Sequence, residues 1–334
     1  METLADAVDR VARGSGFSGA VRLDRAGTTE LLAAYGLADR AHGIPATVAT
    51  RFAIASGTKG LTALVVMALV ARGSLGLHTT ARSLLGDDLP LVADDVTVEH
   101  LLAHRSGIGD YLDEDGGAGV QDYVLSVPVH RLVTTEDHLQ VLDGHPTVSP
   151  AGERFAYNNG GYVVLALLAQ RAAGTDYHDL VRTLVCEPAG MVDTSFLRSD
   201  ELPGDVARGY LDADGLRSNV LHLPLVGAGD GGAVSTVADF SAFWQALRAG
   251  RIVPTDLVAE MVRPRSDWPE ESERYGLGFH LHATGDAVWL EGYDAGISFL
   301  SLHQPSTEVT YTVVSNWSQG AWPLMTLLGE RSRA

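Results

Sequence analysis

The sequence predicts an α/β protein of the α+β kind: one antiparallel sheet flanked by helices, with a mainly helical lobe inserted between the two halves of the sheet. Three observations lead there. Runs with strand character crowd the two ends of the chain and are joined by turns too short for a parallel crossover, so the strands must pair antiparallel. The middle of the chain switches to the helical spacing of apolar residues. The length of 334 residues exceeds the roughly 250 to 300 at which a single core stops growing. Two lobes are therefore expected: residues 1–75 with 230–334 as the sheet lobe, residues 76–229 as the helical lobe, and a small-molecule site in the cleft between them.

Taken in order, "METLADAVDRVARG" spaces Leu4, Val8 and Val11 along one face of a short helix. "SGAVRLD" and "TELLAAYGLA" read as strands on either side of the turn Arg25-Ala26-Gly27. The run from Leu61 to Ala71 is the most apolar segment, about half of the roughly 20 residues that cross a bilayer, so it reads as a buried helix. "TVEHLLAHRSG", "GYVVLALLAQRAAG" and "DYHDLVRTLVCEPAGM" carry helical spacing, with Thr97 as an N-cap and Gly174 as a C-terminal stop. "DEDGGAGVQD" near residue 115 reads as an exposed loop. Four more strands follow in "YGLGFHLHA", "DAVWLEG", "GISFLSLHQ" and "EVTYTVVSNW". Their turns are Thr284-Gly285-Asp286, the stretch from Gly292 to Gly296, and Pro305-Ser306-Thr307.

Composition narrows the function. A formal net charge of -18 repels phosphate backbones and anionic membrane surfaces, so neither nucleic acid nor membrane is expected as a partner. The single cysteine, Cys186, excludes an internal disulfide and fits a reducing compartment. The acidic N-terminus lacks the basic start and apolar core of a signal peptide, and a cytoplasmic location is expected. Nothing in the sequence sets the oligomeric state.

The chain's 24 basic residues are all arginines with one exception, Lys59. A guanidinium cannot give up its proton, whereas a buried ammonium can become the neutral amine. Lysine is what a site needs when it needs a base. Ser56 stands three residues earlier, an offset that puts both side chains on one helical face. Ser56 also precedes the most apolar helix, whose unpaired N–H groups and positive dipole end suit a developing oxyanion. Ser-Gly-Thr-Lys then reads as nucleophile plus activator.

A second constellation lies in "AGERFAYNNGGY". Tyr157 and Asn159 are two apart just before a helix, a spacing that in extended backbone points both side chains the same way. A phenol beside Ser56 and Lys59 can pass a proton, and an asparagine amide can hold a substrate carbonyl or the lysine.

Ser56-Gly57-Thr58-Lys59 and Tyr157-Asn158-Asn159, with "LLAHRSGIGDY", "CEPAGMVDTSF" and "GDGGAVSTVADFSAF", resemble the serine beta-lactamase and penicillin-binding-protein superfamily in its class C or esterase-like branch. The similarity runs from about residue 15 to about residue 315. It implies a beta-lactamase/transpeptidase-like fold and attack of Ser56 on a carbonyl to form an acyl-enzyme. It also implies an oxyanion hole from the backbone N–H groups of Ser56 and Tyr293. The family's third element, a Lys or His, a small residue, then Gly, is replaced by Leu290-Glu291-Gly292. With no basic group there and Glu291 beside it, an anionic substrate is disfavoured on Coulomb grounds.

Two other patterns are weaker. Gly227-Ala228-Gly229-Asp230-Gly231-Gly232 matches a dinucleotide fingerprint but lies outside any strand-helix-strand unit, and a glycine-rich cleft wall explains it better. His280-x-His282 on a strand could ligate a metal with His303, but alternating histidines without a clear third ligand are more often surface or hydrogen-bonded core residues. No G-x-S-x-G occurs. The expectation is a serine hydrolase without metal or other cofactor, acting on an ester or amide of a small neutral or cationic substrate. Catalytic Ser56, Lys59 and Tyr157 would work with substrate-binding Asn159, Glu291, Gly292 and Tyr293. A beta-lactamase or D,D-carboxypeptidase is the alternative; from another class, a non-hydrolytic ligand sensor that is acylated once.

Overall fold

The computed structural model describes residues 2–112 and 119–332. The 113–118 part of the expected exposed loop lies outside the described residues. Strands from both ends of the chain build the main sheet: β1 (Gly19–Arg25), β2 (Thr28–Tyr35), β3 (Ser266–Trp268), β4 (Glu273–Tyr275), β5 (His280–His282), β6 (Val288–Asp294), β7 (Ile297–Gln304) and β8 (Val309–Ser315). They lie in the order β2-β1-β8-β7-β6-β5-β4-β3, and each pair of neighbours is antiparallel. The first and last thirds of the chain are thus joined where β1 pairs with β8, Gly19 opposite Ser315.

Alternation along β7 divides the core in two. Phe299 enters the large cluster on one face of the sheet and Leu300 the smaller cluster on the other. The smaller cluster is covered by α1 (Leu4–Ser15) and a C-terminal helix (Trp322–Ser332), which pack on one another. Thr3 closes α1 with a capping box to Asp6. The other face carries α2 (Thr58–Ala71), α3 (Asn159–Ala173) and α4 (Val237–Arg248). The Trp244 indole of α4 donates to Ser301 Oγ of β7 at 2.9 Å.

α2 is buried continuously from Thr58 to Leu69 because the sheet lies on one side and α3 on the other, which is why it is apolar all round. Its approach to the sheet depends on small residues. Gly57 faces the Phe299 ring and Gly60 faces the Leu290 side chain, so close that a methyl group at either would collide.

Several elements differ from the sequence expectation. "YGLGFHLHA" is not one strand: the chain turns over 276–279, Gly276 N–H donating to the Phe279 carbonyl at 2.9 Å, so Tyr275 ends β4 and His280 begins β5. The three-residue β3 has no counterpart among the expected strands. Only Val98–Leu102 of "TVEHLLAHRSG" is helical, capped by Thr97 as expected, and the run ends where His104 adopts φ +53°. "DYHDLVRTLVCEPAGM" widens into a π turn at Arg182–Cys186. Gly174 closes α3 with φ +62°. Among the described residues no helix is long and apolar enough to cross a membrane.

Phe299 is fully buried under Gly57, its ring 4.7 Å from that of Phe240. Phe299→Ala should cost about 3–5 kcal/mol of stability, read from the urea unfolding midpoint.

Candidate active site

Ser56 sits in a tight turn, Ala55–Gly57, between the short strand Phe52–Ala53 and α2. Ala55 adopts φ +44°, a left-handed conformation that costs a residue with a Cβ about 1–2 kcal/mol. The turn is held from three directions. Gly57 N–H donates to the Ile54 carbonyl at 2.9 Å. Thr58 Oγ1 donates to the Ala55 carbonyl at 2.8 Å and accepts the Ala233 N–H at 3.2 Å.

Lys59, one turn along, is 2% exposed. Its Nζ lies 2.8 Å from Ser56 Oγ, 2.7 Å from Asn159 Oδ1 and 3.0 Å from the Asp230 carbonyl. The last two oxygens can only accept, so they take two of the nitrogen's hydrogens whatever its charge. The third direction points at Ser56. There an ammonium donates, and a neutral amine presents its lone pair to the serine hydroxyl. Both charge states keep every hydrogen bond, which is what a group that takes and returns a proton requires.

Asn159 is the first residue of α3, not a residue ahead of it, and the N-cap is Asn158, whose Oδ1 accepts the Gly161 N–H at 2.6 Å. The Asp110 carboxylate adds a second cap, accepting the N–H groups of Asn159 at 2.6 Å and Gly160 at 2.8 Å. The Asn159 amide is shared between the Leu112 carbonyl at 3.2 Å and Lys59.

Tyr157 is half-buried, with its ring centroid 4.9 Å from Lys59 Nζ. It is stacked on His104 at 4.3 Å and on Trp268 at 6.0 Å. His104 does more than stack. Its carbonyl accepts the Ala156 N–H at 2.8 Å and its Nδ1 accepts the Asn158 N–H at 3.0 Å, so it holds the backbone on both sides of Tyr157. Complete burial, then the Lys59 charge, push His104 well below the ordinary imidazole value. It is therefore neutral, as an accepting Nδ1 demands.

β6 completes the site. β5 pairs with it only at Val288 and Trp289, so from Leu290 onward no strand of the described residues covers that edge. There Gly292 lies against the turn that carries Ser56: a Cβ on it would run into the Ile54 carbonyl and stand 3.1 Å from Gly57 N. Only glycine permits this approach. Leu290 faces α2, whereas Glu291 lines a cavity with Ser56, Asp110, Tyr157, Trp268, His280 and Tyr293. Burial raises the Glu291 carboxyl above its usual range, with His280 acting the other way. His280 is itself paired to Glu273 at 2.9 Å. Tyr293 is partly exposed, its hydroxyl accepting from the Gln319 amide at 3.1 Å.

The glycine-rich stretch 227–232 is part of a cleft wall. Besides the Asp230 carbonyl on Lys59, the Gly229 carbonyl accepts from Thr62 Oγ1 at 2.6 Å. His303 bonds Thr310 at 2.9 Å on the sheet. Among the described residues no group of three or more His, Cys, Asp or Glu side chains is placed to hold a metal ion. Sequence reasoning missed His104, Asp110 and the Asp230 carbonyl. The first two lie within "LLAHRSGIGDY" and nothing in their local pattern marks them; a backbone carbonyl leaves no signature at all.

A family model described as Beta-lactamase matches residues 4–327. A solved penicillin binding protein from Bacillus halodurans superposes with a TM-score of 0.91 at 30% identity, covering 97% of this chain and 99% of that one. D-amino acid amidase from Ochrobactrum anthropi SV3, solved with L-phenylalanine amide, gives a TM-score of 0.79 at 27% identity, covering 98% and 97%. Esterase EstB of Burkholderia gladioli is 35% identical over 172 residues, 50% of this chain and 44% of that esterase.

Asp110 offers a pH test of the second cap. Burial raises its carboxyl from 3.8 to about 6, against the pull of the N–H groups it accepts. The folded chain thus binds this proton more tightly than the unfolded one, and stability falls as pH rises from 4 to beyond 6, by about 3 kcal/mol in all. In urea unfolding across that range, the stability of Asp110→Asn minus that of the wild type should rise with pH by about this amount.

Proposed function

The chain belongs to the beta-lactamase family, and on that footing we propose that it is a serine hydrolase that opens esters or amides through an acyl-enzyme on Ser56. The observation that carries this reading is the Lys59 amine, sealed from water, fixed by two acceptors and aimed at Ser56 Oγ at 2.8 Å. As Ser56 attacks the carbonyl carbon, its proton passes to Lys59; Tyr157 relays a proton to the departing oxygen or nitrogen and later helps to draw one from the incoming water. Water then adds to the acyl carbon, the serine ester bond breaks, and the hydroxyl regains its proton. Tyr157 as the ionised base is the variant of this scheme in which Lys59 stays charged.

Charge on the tetrahedral intermediate falls to the N–H groups of Ser56 and Tyr293, a role supported by the glycine contact that brings β6 against the serine turn. One such donor is worth about 10² to 10³ in rate. The substrate is neutral or cationic. None of the residues lining the cavity around Tyr157 and Glu291 is a lysine or arginine, so a carboxylate there would meet Glu291 with no fixed cation to offset it. This sets the beta-lactamase and D,D-carboxypeptidase alternative behind the esterase or amidase.

The division into lobes 1–75 with 230–334 and 76–229 remains part of this proposal, supported by the origin of the eight main-sheet strands outside 76–229. A cytoplasmic location is proposed as well, supported by Cys186 being buried and unbridged.

Ser56→Ala and Lys59→Arg should each lower kcat/KM for a p-nitrophenyl ester by about 10³ or more, and normal rates would refute the scheme. Tyr157→Phe should slow turnover by orders of magnitude. Gly292→Ala, which pushes β6 off the serine turn, should lose about 10²-fold in kcat/KM. Glu291→Lys should raise kcat/KM for esters that carry a carboxylate. A mass time course after fluorophosphonate or penicillin separates hydrolase from sensor, since a sensor keeps the penicilloyl adduct permanently.

A further inference from the structure

Ser56 stands between two cavities of unlike character. The first, described above, holds Tyr157, Trp268, His280 and Glu291. The second has no lysine, arginine or glutamate in its walls, and its two carboxylates, Asp230 and Asp294, are both hydrogen-bonded. Leu125, Leu197, Leu202, Leu225, Val234 and Ile297 are among its apolar walls. Four of its polar members are already bonded, while Ser199 Oγ and His222 Nδ1 are buried without a hydrogen-bond partner among the described residues. Tyr111 O–H donates to Asp230 at 2.6 Å, the Asn219 amide donates to the Ala295 carbonyl at 2.9 Å, and the Asp294 carboxylate accepts the Ala295 N–H at 2.7 Å. Ser56, Leu112, Asn159 and Tyr293 border both cavities. A bond cleaved at Ser56 therefore has one half on each side.

Proton delivery decides which half goes where. The departing oxygen or nitrogen must lie within reach of the group that protonates it. Tyr157 lines the first cavity and is absent from the walls of the second. The leaving group thus belongs with Tyr157, Trp268 and Glu291, and the acyl group enters the second, apolar cavity. Two exposed apolar side chains adjoin the lining: Val124, between the lining residues Tyr123 and Leu125, is 84% exposed, and Leu221, next to His222, is 77% exposed.

We propose that this apolar cavity is an acyl-chain site and that the substrates are esters or amides of aliphatic acids several carbons long. The inference rests on the acyl-enzyme reading of Ser56. In the first step the Ser56 Oγ–acyl bond forms as the bond to the leaving oxygen or nitrogen breaks, the serine proton leaving with that group by way of Lys59 and Tyr157. In the second, water replaces Ser56 on the acyl carbon and the aliphatic acid is released.

The test is a series of p-nitrophenyl esters from acetate to decanoate, which share one leaving group. The result expected is a rise in kcat/KM of about fourfold per methylene, from acetate to at least hexanoate, before the cavity is full. Leu197→Arg and Leu202→Arg, both at partly exposed positions, should each pull the hexanoate-to-acetate ratio of kcat/KM down toward one. A flat or falling profile in the wild type, with acetate still hydrolysed in a Ser56-dependent way, would overturn the acyl-chain site and leave the hydrolase reading standing. Failure of every ester, together with no labelling of Ser56 by a fluorophosphonate, would remove the hydrolase reading and this inference with it.

Discussion

The contact between Lys59 Nζ and Ser56 Oγ is the constraint around which the rest is arranged. A cationic side chain that is 2% exposed would carry a heavy desolvation penalty if its hydrogens lacked acceptors. The fold supplies them from two distant places, the Asn159 amide at the start of α3 and the Asp230 carbonyl in the glycine-rich wall. Each supplier is held in turn. Asp110 and Asn158 cap α3, and Tyr111 donates its hydroxyl to the Asp230 carboxylate at 2.6 Å.

Convergence of these parts follows from the architecture. The first strand pairs with the last inside an open sheet, and β6 and β7 lie beneath the turn that precedes α2. Small residues then set the distances. Gly57 and Gly60 let α2 settle on Phe299 and Leu290, and Gly292 lets the open edge of β6 reach the serine turn. From the other side His104, itself left-handed at φ +53°, grips the backbone at Ala156 and Asn158 and lays its ring under Tyr157. Proton transfer chemistry needs such over-determined geometry because an ångström of slack costs about 10² in rate.

Much of this was legible in the sequence, for identifiable reasons. Alternation and short turns announced antiparallel strands at both ends. A helical offset of three announced Ser56 with Lys59, and the lone lysine among arginines marked the position. What was hidden depends on contacts between segments far apart in the chain. His104 acts on residues about fifty positions away, and the third partner of Lys59 is a backbone carbonyl that any residue would provide. The break in "YGLGFHLHA" leaves no mark in the sequence because Tyr275, Phe279 and Leu281 keep a strand-like pattern across a turn. The two cavities on either side of Ser56 have no linear pattern at all, since their walls are drawn from segments scattered between residues 53 and 297.

Because Lys59 is the one lysine in the chain, protein grown with lysine labelled at Cε carries a single reporter of its charge. Followed by NMR against pH beside the rate of ester hydrolysis, that signal should move from ammonium to amine in step with the rise of kcat/KM. A signal that stays that of an ammonium across the whole range in which the enzyme turns over would contradict the assignment of Lys59 as the group that takes the serine proton.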